Sequence, residues 1–85
     1  MYEHILGRPA TAPEQKMLDH GFKPAIVVGE GVMIIDEAHS GKVDAIVLFA
    51  VPPTPYEPRP KLAWGFRVEG RDYFVEEKEL IRIQK

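Results

Sequence analysis

The clearest hydrophobic pattern in the chain lies near its C-terminal end. Over residues 62–68, Leu62, Trp64, Phe66 and Val68 alternate with Ala63, Gly65 and Arg67, the period of a half-buried strand. A polar stretch, Glu69-Gly70-Arg71-Asp72, then predicts a turn, and Tyr73-Phe74-Val75 predicts a second strand. Glu77-Lys78-Glu79 suits a single 3-10 turn before a last strand over residues 80–83. Further upstream, residues 43–51 are apolar on both alternating sets. Val43, Ala45, Val47, Phe49 and Val51 form one set; Ile46, Leu48 and Ala50 form the other. Such a strand is covered on both sides, by a helix, by neighbouring strands or by another chain. Residues 24–35 read as two β-branched strand pieces separated by Gly29-Glu30-Gly31, where a bulge or bend is expected.

The first third is helical in one place. Thr11 and Glu14 have the spacing of a capping box, with Pro13 in the first turn and Gly21 as a left-handed stop. The helix expected over residues 12–20 is too short to persist alone and must dock on the sheet. Residues 1–10 read as an N-terminal arm, with Tyr2, Ile5 and Leu6 able to reach the core. Five prolines within residues 52–60 exclude a central strand there and predict an extended polyproline-II excursion.

The chain of 85 residues is sized for one domain, divided here into an arm and capping helix (1–23) and a β unit (24–85) carrying the insertion 52–60. A domain of this size buries only about 60% of its unfolded surface, so spare apolar area predicts a partner, including a second copy. Cysteine is absent, which excludes disulfides, thiolate zinc sites and cysteine nucleophiles. With no secretory signal pattern at residues 1–9, the reading is a cytoplasmic protein. The longest apolar run is far below the about 20 residues of a membrane-spanning helix, so no membrane role is expected. A net charge of −2 provides no general attraction to polyanions.

About five short strands, an early glycine bend and a one-turn corner before the last strand resemble the small SH3-like barrels, a group that includes SH3, Tudor and KOW-type domains. The residues carrying the resemblance are 28–32, 41–47, 68–70 and 73–80. It implies a mainly β, five-stranded SH3-like barrel with a short N-terminal helix and a Pro-rich loop. No functional residue is carried over by motif.

Chemistry-bearing candidates are few. Asp36-Glu37-Ala38-His39 matches the DEAH element of helicases, but that chemistry needs a phosphate-binding GxxxxGK[ST] loop, which the sequence lacks. Read as metal ligands, Asp36, Glu37 and His39 have no further histidine at ligand spacing; His4 and His20 lie elsewhere. Ser40 is the sole serine, with no nucleophile elbow around it. No catalytic residue, cofactor or metal is therefore assigned. In small barrels Trp64, Phe66, Tyr73 and Tyr56 could form an aromatic groove; the alternation instead assigns Trp64 and Phe66 to the core. Tyr56, flanked by prolines, is the aromatic expected to make an exposed contact.

Arg59, Lys61, Arg67 and Arg71 form the most basic stretch, with Lys61 and Arg67 on the strand face opposite Trp64. Overlapping PxxP spacings (Pro52 and Pro55, Pro55 and Pro58) lie beside them. The leading expectation is a non-catalytic protein-binding or adaptor module. It would use Tyr56, Arg59, Lys61, Arg67 and Arg71, could self-associate, and would suit a phage or mobile-element accessory protein acting on a host factor. The alternative is a nucleic-acid-binding small barrel using Arg59, Lys61, Arg67 and Arg71. A third is a small-molecule binder or enzyme formed at an oligomer interface.

Overall fold

The computed structural model describes residues 2–83. Met1 and residues 84–85, the outer ends of the expected arm and β unit, lie outside the described residues. The elements in order are α1 (Glu3–Leu6), α2 (Ala12–Asp19), β1 (Gly31–Ile34), β2 (His39–Val51), β3 (Lys61–Val68), β4 (Val75–Glu76) and β5 (Leu80–Arg82). One-turn 3-10 segments, Ile35–Glu37 and Glu77–Glu79, precede β2 and β5. The strands form one antiparallel sheet in the order β4-β3-β2-β1-β5. The sheet is open: among the described residues β4 and β5 do not pair, and the Glu77–Glu79 turn joins them.

The expected β-rich architecture and the short helix are both present. The capping box forms as the spacing predicts. The Thr11 hydroxyl accepts from the Glu14 N–H (3.4 Å), and the Glu14 carboxylate accepts from the Thr11 N–H (2.9 Å). At the other end Gly21 takes φ +88, with its N–H on Leu18 O and the Phe22 N–H on Met17 O. These two bonds make a Schellman stop. Because the chain reverses there, Phe22 is laid against Trp64 with ring centroids 6.0 Å apart, and the Trp64 Nε1–H donates to Phe22 O.

β2 is where the local pattern misleads. Its first four residues pair with β1 and its remainder with β3. Between Val43 and Ala45 the register slips and Asp44 has no cross-strand partner, a β-bulge. One extra residue reverses the alternation. Val43 therefore shares the inner face with Ile46 and Leu48, while Ala45, Val47 and Phe49 turn outward. The single five-residue face expected from strict alternation does not exist.

Three further expectations shift. Residues 25–28 are not a strand; Ile26 is buried, and the segment is pinned by Val28 N–H to Ile5 O and Gly29 N–H to Val43 O. The first ten residues are more than an arm: α1 places Ile5 and Leu6 in the core, Leu6 at 1% exposure. The proline-rich segment is not one extended excursion. Thr54 N–H donates to Glu57 O and Glu57 N–H to Thr54 O, closing a tight reversal at Pro55 and Tyr56 that breaks the Pro55–Pro58 spacing.

The core is continuous across these elements. Phe66, Leu6, Ile46, Val32, Val43 and Val68 are its most enclosed members, with Trp64, Leu18, Ile26 and Ile34 around them. Trp64 and Phe66 are inward, as the alternation requires.

Candidate functional site

The expected contact residues divide into three groups. Tyr56, Arg59 and Lys61 come together at the tip of the β2–β3 hairpin, lining one shallow surface hollow with Glu57, Pro58 and Pro60. The tip stands clear of the core: every residue from 52 to 60 is exposed, and Tyr56 is 95% exposed. Arg67 shares the outer face of β3 with Lys61, as expected, but lies further toward the body. Arg71 is at the opposite end, beside the Ile35–Glu37 turn.

Their charges are largely answered within the chain. Lys61 Nζ is 2.9 Å from Glu57 Oε2, and this contact raises the Lys61 pKa. Arg67 Nε donates to Asp44 Oδ1 at 2.9 Å, so the bulge residue supplies its partner. Arg71 Nε donates to Glu37 Oε1 at 2.6 Å, and the Tyr73 hydroxyl donates to the other oxygen of Glu37. Among the described residues only Arg59 of these four has no carboxylate partner. Exposed pairs of this kind add little stability, yet they leave less free positive charge for phosphate.

The acidic turn disperses. Glu37 holds Arg71, the His39 ring Nε2 is 2.7 Å from Glu69 O, and no group of three His, Asp or Glu side chains among the described residues could hold a metal ion.

Between Lys61 and Arg67 the outer face of the hairpin is apolar. Val47, Phe49 and Ala63 are half-buried there. Gly65 lies between Phe49 and Phe74; a Cβ there would stand 3.1 Å from the Phe49 ring and 3.3 Å from Phe74 Cβ. The Arg67 guanidinium sits 5.9 Å from the Phe74 ring centroid, closing one side of this patch.

Sequence reasoning missed the device that holds the helices to the sheet. Arg8 and Glu14 form a two-bond ion pair (2.8 and 2.7 Å), with Glu14 only 4% exposed. Arg8 Nη2 also donates to Ile46 O at 2.7 Å, and Leu48 N–H donates to Glu14 Oε2 at 3.3 Å. β1 has ended by this point, so the two side chains take the hydrogen bonds that a neighbouring strand would make. The Arg8 guanidinium, together with Thr11, holds the Glu14 carboxyl down to about 2, against the opposing effect of burial. The signal available in the sequence was the placing of Glu14 one turn before Leu18, which puts its carboxylate on the buried side of α2.

No family model, curated protein or solved structure matches this chain.

Proposed function

We propose that this protein is a non-catalytic module that binds another protein through its β2–β3 hairpin, the sheet being that of an SH3-like barrel. Three features favour the barrel reading. The strand order is β4-β3-β2-β1-β5, β2 is shared between two partner strands across a bulge, and a single 3-10 turn precedes β5. The observation that carries the binding reading is the hairpin. It extends beyond the core, presents Val47, Phe49 and Ala63 on one face with Phe74 packed beside them across Gly65, and ends in a closed turn that displays Tyr56. A rigid aromatic held on a tight turn loses little entropy on contact, which suits it as an anchor. Arg59, which has no carboxylate partner among the described residues, adds a cation beside it.

Wild-type chain and Tyr56→Ala, immobilised in parallel and challenged with extract of the cell that expresses the protein, test this reading. The expected result is a discrete protein retained by the wild type and lost by the variant, at equal melting temperature. Identical retention by both would contradict it.

A further inference from the structure

Two side chains at the hairpin tip stand on constrained backbone. Tyr56 is at the apex of the turn that Thr54 and Glu57 close with two backbone bonds, and the Glu57 N–H also donates to Thr54 Oγ1 at 3.0 Å. Arg59 lies between Pro58 and Pro60. Pro58 fixes its own φ, and Pro60 restricts Arg59 to extended backbone. Tyr56 and Arg59 line one hollow of about 420 Å³ together with both proline rings. Glu57 and Lys61 complete the lining, and Lys61 Nζ lies 2.9 Å from Glu57 Oε2, so these two charges cancel. Arg59 has no carboxylate partner among the described residues. The tip therefore carries one uncompensated positive charge on an acidic body. Of the 11 basic and 13 acidic residues of the chain, residues 52–61 hold two and one, which leaves nine and twelve elsewhere.

We infer that the hairpin tip takes a short acidic segment of the partner protein, an Asp or Glu carboxylate seated on the Arg59 guanidinium and its apolar neighbour on the Tyr56 ring. This rests on the protein-binding reading above and gives the partner a chemistry. A guanidinium bonds a carboxylate through two parallel N–H groups. With its backbone already fixed, Arg59 loses less freedom on contact than a residue on an open loop. The proline rings beside it exclude water from part of the contact once the segment is seated, which strengthens the pair. The charge of the body directs the same choice, since an acidic segment is attracted at the tip and repelled elsewhere. Nucleic acid fits less well. Its phosphates run in a line and call for several cations in a row. Arg67 lies toward the body and holds Asp44, and Arg71 is at the opposite end of the sheet and holds Glu37.

The probe is a display library of short random peptides, selected on the wild-type chain and depleted on Tyr56→Ala. Expected is enrichment of Asp or Glu beside an apolar or aromatic residue. A synthetic peptide of the enriched sequence should bind Arg59→Gln about tenfold more weakly than the wild type. The same peptide with its acid replaced by the amide should lose that factor on the wild type and nothing further on Arg59→Gln. Arg59→Lys should recover part of the loss, because it keeps the charge without the paired N–H groups. Residue 59 is exposed, so the melting temperature of both variants should match the wild type. The inference is overturned by enriched peptides without acidic residues, by an amide peptide that binds as well as the acid, by an acid-to-amide loss that persists in full on Arg59→Gln, or by the absence of any Tyr56-dependent enrichment. Tighter Arg59-dependent binding of a single-stranded oligonucleotide than of the enriched peptide also overturns it and assigns Arg59 to phosphate. Any of these outcomes with Tyr56-dependent capture from the cell extract intact rejects the acidic segment alone; identical capture by the wild type and Tyr56→Ala removes the hairpin reading, whatever the peptides show.

Discussion

Glu14 joins three parts of the molecule through one carboxylate: the start of α2, the Arg8 guanidinium and the backbone of β2 at Leu48. Its pKa falls from the ordinary 4.5 to about 2 in the folded chain. A carboxyl depressed in this way contributes stability that is fully present above its unfolded value and is lost as pH falls toward the folded one. A shift of this size corresponds to about 3 kcal/mol. The melting temperature of the wild type should therefore decline between pH 4.5 and 2. Glu14→Gln should be less stable at neutral pH by about 3 kcal/mol, since Arg8 is left without its counter-charge. The same variant should show a shallower acid limb in a pH series of thermal melts. An unchanged acid limb would mean that other carboxylates govern the transition.

The capping role of Glu14 was legible because both halves of the box lie three residues apart in one segment. Its pairing with Arg8 was not. That contact depends on where α1 ends and on β1 stopping short of Ile46, and neither is written in local spacing.

At the scale of elements, the N-terminal turn and the stop of α2 make opposite kinds of contribution. Leu6 acts through packing. With 1% exposure, its truncation to alanine should cost about 3 kcal/mol in denaturant unfolding, a result incompatible with residues 1–10 being a loose arm. Gly21 acts through the backbone alone. It sits at φ +88 with nothing within 4 Å of a Cβ, so Gly21→Ala should cost about 1 kcal/mol without any steric clash. The strands show why alternation succeeds in one place and fails in another. β3 runs without interruption, so Leu62, Trp64, Phe66 and Val68 keep one side throughout, although Leu62 passes beyond the core. β2 contains the bulge at Asp44, and no residue in Val43-Asp44-Ala45 announces it. Its function is visible only in three dimensions, where it turns Asp44 toward Arg67 and changes which apolar set is buried.

For the whole molecule, the division is between a body closed by its helices and a hairpin that leaves it. The described residues contain no helix long and apolar enough to cross a membrane. The basic residues that suggested phosphate contacts are distributed between both ends of the sheet, and three of them hold carboxylates. Retention on DNA or RNA at low ionic strength should accordingly be weak and should change little with Arg67→Ala. A steep salt dependence that flattens with Lys61→Ala and Arg67→Ala would instead favour nucleic acid as the partner. The proline segment belongs to this scale as well. Its composition marked it as an excursion from the sheet. The cross-bonded turn at Thr54 and Glu57, which fixes Tyr56 at the apex, depended on the strands delivering both ends together.

The most direct test of the binding reading is site-specific photo-crosslinking inside the expressing cell. A photoreactive residue is placed at Tyr56 in one variant and at Gln15, on the exposed side of α2, in another. The account predicts a single discrete protein adduct from position 56 and none from position 15. Adducts of equal yield and pattern from both positions, or none from position 56 at normal expression, would contradict it.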